Sequence, residues 1–225
     1  DQISSNGKLK KKFSSIKRQI CIIGITAAVR CLHRNNIAHR NLCPEAIWLD
    51  ENLYPKIFDF SHSREVIQDE SEQASVTYNG SNQTSYQAPE VFEKTIDYKF
   101  LNSLDIFSLG RLLYLMLTGY EPFKVASDPY CDKGAFQLQS AIIKGEFPVY
   151  PSKVPENWQK LLGSCWSTNP SDRPSAAEIY KYITEKEEFL ISNFSKSDRS
   201  EIIKYVTMIK KYENNNKNCI FTLYL

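Results

Sequence analysis

The chain has 225 residues, with 28 Lys and Arg against 26 Asp and Glu, for a formal charge of +2. Hydrophobic residues make up 42% and charged residues 24%, the balance of a globular chain long enough for a sizeable core. Near-neutral charge excludes a strongly basic nucleic-acid binder and an acidic tail protein, and only eight Gly and ten Pro exclude collagen-like and linker chains.

In chain order, residues 1–12 are polar and carry Lys8, Lys10, Lys11 and Lys12, which reads as a solvated basic leader. Apolar residues at Phe13, Ile16, Ile20, Ile23, Ala27 and Cys31 recur in steps of three or four and predict a helix with one apolar face, ended by Asn35 and Asn36. Residues 46–49 and 56–58, separated by Asp50, Glu51 and Asn52, predict a small hairpin. Residues 61–85 are polar without periodicity and predict a long loop. Residues 104–118 are apolar on every side except at Asp105, Ser108 and Arg111, the pattern of a buried central helix, with Gly119 as its stop.

A helix over 135–144 closes at Gly145. Asn157 is read as the cap of a helix over 158–166, and Ser175 as the cap of one running to about Leu190. Ser197 and Asp198 precede an amphipathic stretch over 201–212 with apolar Ile202, Tyr205, Met208 and Ile209, suited to docking on the rest of the chain or on a partner. A run of Asn214, Asn215 and Asn216 leads to a short apolar end at 220–225.

Cys21, Cys31, Cys43, Cys131, Cys165 and Cys219 form no C-x-x-C pair and have no His at zinc-finger spacing, so they read as reduced thiols of an intracellular, cytoplasmic protein. The longest apolar run, residues 20–29, is about half a bilayer span, so no membrane partner is expected. The first residue is Asp rather than Met, which points to a piece of a longer chain.

The residues that carry chemistry are ordered tripeptides. His39-Arg40-Asn41 is followed by Cys43 and Ala46, then by Asp59-Phe60-Ser61 and Ala88-Pro89-Glu90. This order resembles the H-R-D-x-x-x-x-N, D-F-G and A-P-E signature of the eukaryotic protein kinase large lobe. Downstream, Asp105-Ile106-Phe107-Ser108-Leu109-Gly110 is similar to the family's buried D-x-W-S-x-G helix start, and Gly119-Tyr120-Glu121-Pro122-Phe123 to its G-x-x-P-F loop. Cys165-Trp166 with Arg173-Pro174-Ser175 resembles the C-W…R-P-S end of the tyrosine-kinase-like branch. The resemblance spans residues 13–188 and implies the C-terminal, large lobe of a kinase-like fold, mainly α with one small hairpin, followed by a helical tail over 189–225.

The resemblance also implies roles. Asp105 would accept backbone N–H groups of the catalytic loop, and Glu90 and Arg173 would form a buried ion pair. His39 would pack under Phe60. His33 and His62, by their polar surroundings in the sequence, read as solvent-facing or loop residues. Arg40 would meet a phosphate on the long loop, with Thr77, Thr84 and Ser85 as candidate phosphosites. Thr84 and Tyr86 lie near the family's substrate-docking segment at an altered spacing.

Four positions depart from the family. The catalytic Asp is Asn41, a neutral amide, which removes general-base help worth about 10²–10⁴ in rate. The phosphate-contacting Lys is Cys43, here an inert replacement. The second Mg²⁺ ligand is Ala46, and the D-F-G glycine is Ser61. Asp59 remains as the metal ligand, so ATP and Mg²⁺ are the implied cofactors on a depleted site. No G-x-G occurs in the 225 residues, so the small lobe is expected outside this chain. Two functions follow as expectations: a pseudokinase that binds signalling proteins or an active kinase as a scaffold, or a divergent ATP-dependent Ser/Thr kinase completed by an upstream lobe. A truncated, non-functional fragment is the third.

Overall fold

In the computed structural model, the described residues are 3–5, 8–9, 13–66, 83–93, 96–151 and 154–215. They form a mainly helical body with three two-stranded antiparallel sheets. The leader is less solvated than its lysines suggest: β1 (Ser4–Ser5) pairs with β2 (Lys8–Leu9), and Ile3 is fully buried.

Helix α1 (Ser15–Arg34) starts where the Ser14 hydroxyl accepts the Lys17 N–H, and it stops at Asn35. Asn36 then turns the chain at φ 55°, a left-handed value that Asn tolerates better than most residues. The expected single apolar face is in fact nearly all-round burial, from Gln19 to Val29. β3 (Ile37–Ala38) follows, then the predicted hairpin of β4 (Ile47–Leu49) and β5 (Pro55–Ile57), with Trp48 opposite Lys56. β6 (Arg64–Glu65) returns to pair with β3.

Helix α2 (Leu101–Thr118) is the core of the body, and Gly119 ends it at φ 80°, a conformation that costs glycine nothing. A 21-residue stretch, Tyr98–Thr118, is long and apolar enough to cross a membrane, yet 78% of its 18-residue apolar window is buried inside the fold. Its three polar exceptions are all buried. Ser108 donates to the Tyr86 carbonyl, at 2.7 Å. Arg111 lies among the rings of Trp166, Phe107 and Phe123, 4.3 to 4.9 Å from their centroids, and burial pushes its guanidinium down to about 9. Gly110 is needed for close approach: a Cβ there would lie 2.6 Å from Trp166 Nε1 and 2.7 Å from Cys165 Cβ.

Helices α3 (Ala135–Ile143), α4 (Glu156–Cys165) and α5 (Ala176–Glu185) complete the body. Two boundaries differ from the sequence reading. Asn157 lies inside α4, which is capped by Pro155, and its amide instead donates to the Glu188 carbonyl. Ser175 caps α5 through a reciprocal bond with Glu178, but α5 ends at Glu185, before a separate turn over Glu187–Phe189.

Helix α6 (Lys196–Asn215) also begins earlier than expected, because Ser195 and Asp198 form the reciprocal cap in place of Ser197. Its apolar side packs on α1 and the hairpin: Ile202 and Tyr205 are buried, and Tyr205 lies 4.6 Å from the Tyr54 ring. Lys17–Glu201, at 3.0 Å, and Arg30–Glu213 tie α6 to α1. The apolar end at 220–225, Cys219 and most of the long polar loop, including Thr77, lie outside the described residues.

Candidate active site

The turn between β3 and the hairpin carries His39, Arg40 and Asn41, and α2 holds it from beneath. Asp105, fully buried, accepts the backbone N–H of His39 on Oδ2 and of Arg40 on Oδ1, both at 2.7 Å. Two charge-assisted bonds to one carboxylate fix two successive peptide planes. Arg40 adopts φ 66°, a left-handed value unfavourable for a long side chain, so the surrounding structure must impose it. Its guanidinium donates to the His62 carbonyl at 3.1 Å. A third group meets Asp105: His33 Nε2, 3.0 Å from Oδ2, carries the proton because the carboxylate can only accept. His33 is therefore half-buried and paired rather than solvent-facing. The sequence signal is its place in the last turn of α1.

His39 packs edge-on to Phe60 at 4.9 Å. Its Nε2 donates to the Phe58 carbonyl at 2.8 Å, and its Nδ1 accepts the Asn41 N–H at 3.3 Å. Both nitrogens are used by the neutral ring, and burial holds the imidazole below its ordinary value of 6.5. The unfolded chain therefore takes up a proton as pH falls through about 6.5 while the native ring does not. Stability is expected to fall as pH is lowered from 6.5 toward the depressed native value. Urea midpoints measured from pH 8 to pH 5 check this, and His39→Phe should flatten the slope.

Asp59 emerges directly after the hairpin at φ 59°, again left-handed, and its side chain is largely exposed. The Ser61 hydroxyl donates to Oδ1 at 2.5 Å and Asn41 Nδ2 to Oδ2 at 3.1 Å. These bonds, Ser61's above all, hold the Asp59 carboxyl below its ordinary range. Asn41 is buried, and its Oδ1 has no hydrogen-bond partner among the described residues. Cys43 and Ala46 are also buried, and burial pushes the Cys43 thiol up to about 12, which keeps it protonated at neutral pH. Trp48 stands out from β4 beside the site, 48% exposed and 5.3 Å from the Phe58 ring.

Behind the site, Arg173 grips Glu90 with two bonds of 2.6 and 2.8 Å and also donates to the Ser103 and Ser167 carbonyls. Thr84 and Ser85 are half-buried in a tight turn, and the buried Tyr86 ends it. Gln83 reaches from the same segment to Glu45, at 3.0 Å.

The site thus brings Asn41 and Asp59 into contact over a loop that a buried aspartate braces, with a buried Glu–Arg pair behind. Comparison with known proteins agrees. The family model described as "Protein kinase domain" matches residues 2–183. The dual specificity protein kinase shkB of Dictyostelium discoideum is 31% identical over 170 residues, 75% of this chain and 24% of that protein. A putative serine/threonine-protein kinase of Saccharomyces cerevisiae is 33% identical over 159 residues, covering 70% of this chain and 16% of its own length. A serine/threonine-protein kinase of Arabidopsis thaliana is 30% identical over 164 residues, 72% of this chain and 26% of that protein. The chain spans about a quarter or less of the length of these relatives. With the bracing aspartate, the buried ion pair and a match over most of its length, the chain belongs to the protein kinase domain family.

Proposed function

We propose that the chain is the large lobe of a protein kinase domain of the tyrosine-kinase-like branch that has little or no phosphotransfer and works by binding other proteins in a reducing, cytoplasmic setting. The observation that carries this reading is the bond from Asn41 Nδ2 to Asp59 Oδ2. The position that should hold a carboxylate base presents an amide N–H to the metal-ligating carboxylate instead. An amide oxygen takes up no proton at neutral pH, so substrate activation is lost. Cys43, held as a thiol, offers no cation to a transferred phosphate. Ala46 offers no oxygen to a second metal.

The residues present fit one hard cation and no more. Asp59 is an exposed, ionised carboxylate, and Mg²⁺ is commonly held by one or two carboxylates together with the phosphates of its nucleotide. ATP with Mg²⁺ would there meet Asp59 alone among the family's metal-ligand positions.

A second reading rests on Asn41 Oδ1. A buried acceptor without a partner can orient a substrate hydroxyl by accepting its hydrogen bond, and orientation by itself supplies much of a rate. This is the divergent Ser/Thr kinase, completed by residues upstream of Asp1. The test is phosphotransfer by the parent protein to a generic basic protein substrate. Activity at background, with Asn41→Asp, Cys43→Lys and Ala46→Asn together raising it by about 10²-fold or more, is expected. Activity in the unaltered protein that Asp59→Ala abolishes would establish the second reading.

A further inference from the structure

Helix α6 uses its acids and its bases differently. Every carboxylate on it is engaged in the fold: Asp198 caps the helix through Ser195, Glu201 accepts from Lys17 at 3.0 Å, and Glu213 is held by Arg30. Its lysines turn outward. Seven residues make nearly two full turns, so Lys204 and Lys211 stand one above the other, about 10 Å apart, on the side away from buried Ile202 and Tyr205. Neither lysine has an ion-pair or hydrogen-bond partner among the described residues. Apolar groups flank them. Ile203, 64% exposed, and Thr207 form one edge, while Met208 and Tyr212, 51% exposed, form the other. These six residues line one open recess. Lysines facing water are ordinary on a surface helix. Two unpaired lysines set between exposed apolar edges also offer a partner both charge and apolar contact.

Charge chooses the occupant. Residues 216–225 contain no Asp or Glu, so the sequence after α6 has no acidic side chain to bring to the lysines. A second copy of α6 has no free carboxylate to offer and would set lysine against lysine. An anionic bilayer fits less well, because a helix lying in a bilayer surface centres its apolar stripe and keeps lysines at the margins, the reverse of this face. What fits is a pair of carboxylates about 10 Å apart with apolar side chains beside them, the spacing of positions i and i+7 on one side of a helix.

We propose that the outer face of α6 binds an acidic amphipathic helix of a partner protein, with two carboxylates on Lys204 and Lys211 and apolar side chains over Ile203 and Tyr212. This rests on the protein-binding reading above and names the chemistry of the partner.

The test uses the full chain and a fluorescein-labelled helical peptide with Glu at two positions seven apart and Leu beside them, followed by anisotropy. Saturable binding is expected, and raising NaCl from about 50 to about 500 mM should weaken it, because the screening length falls severalfold. Lys204→Glu with Lys211→Glu should weaken it at least about tenfold, since both pairs change from attraction to repulsion. The melting temperature of that variant should stay within about 2 °C of the unaltered chain, as both side chains point to solvent. A peptide with Lys in place of both Glu should show the opposite preference and bind the charge-reversed chain more tightly. No saturation at about 1 mM peptide, or binding that charge reversal leaves unchanged, would overturn the proposal. So would co-sedimentation with phosphatidylserine vesicles, lost on charge reversal, in a chain that does not bind the peptide; that result assigns the face to a membrane. Phosphotransfer is a separate readout. Activity in the parent protein with peptide binding intact would remove the pseudokinase reading and leave the α6 face standing.

Discussion

Arg173→Ala is expected to lower stability by about 3–5 kcal/mol, because it leaves the Glu90 carboxylate largely buried with no counter-charge. The guanidinium is fully buried and makes four hydrogen bonds, two to Glu90 and one each to the Ser103 and Ser167 carbonyls. It therefore joins the segment after the long loop to the start of α2 and to the turn after α4. For a chain of this size the loss corresponds to a fall of about 10 °C in melting temperature. Arg173→Lys should recover little, since an ammonium cannot make the two-pronged bond and the carbonyl bonds together. Glu90→Leu combined with Arg173→Met should recover more than Arg173→Lys, because removing both charges also removes the desolvation cost. Chemical denaturation of the four proteins checks this order. A double variant no better than Arg173→Ala would mean that the pair's carbonyl bonds, rather than its charges, carry the effect.

Asp105→Ala is expected to cost a similar amount, about 3–5 kcal/mol, by a different route. It leaves the backbone N–H groups of His39 and Arg40 without acceptors beneath the turn they form, and His33 without its partner. Asp105→Asn is the sharper variant. Its oxygen can serve one N–H, but its NH₂ then faces the other donor, so roughly half the loss should remain. Amide hydrogen exchange separates this from general destabilisation: protection at His39 and Arg40 should fall more than protection in the middle of α2. His33→Ala should cost less, because His33 sits at the edge of the cluster and water can replace it.

Both predictions concern residues that the motif order singled out, and the reason they were legible is instructive. A carboxylate on a largely apolar helix demands partners wherever the helix goes, so Asp105 in the sequence already implies a buried polar network. The same holds for the hairpin, whose β4 and β5 alternate about an Asp/Asn turn, and for Gly119, which only a helix stop explains. Capping residues were less legible. Ser175 is legible, whereas Ser195 competes with Ser197 two residues on, and Pro155 takes the N-cap position of α4 with no side-chain cap bond, which cap propensity does not signal.

By itself, the sequence determined the mainly helical architecture, the central place of α2 and the position of the His39-Arg40-Asn41 turn between α1 and the hairpin, because hydrophobic period and ordered motifs are properties of the chain alone. It also determined which side-chain groups follow the His-Arg pair: an amide at Asn41, a thiol at Cys43 and a methyl at Ala46. Only the tertiary structure decided what those groups face. Asn41 turns its N–H toward Asp59, His33 belongs to Asp105 rather than to solvent, and Arg111 sits among three rings with no carboxylate within the same helix turn. Each of these depends on residues distant in the chain, and burial makes each partner choice consequential: in water an unpaired polar group costs little, whereas inside the fold it costs about 1–3 kcal/mol.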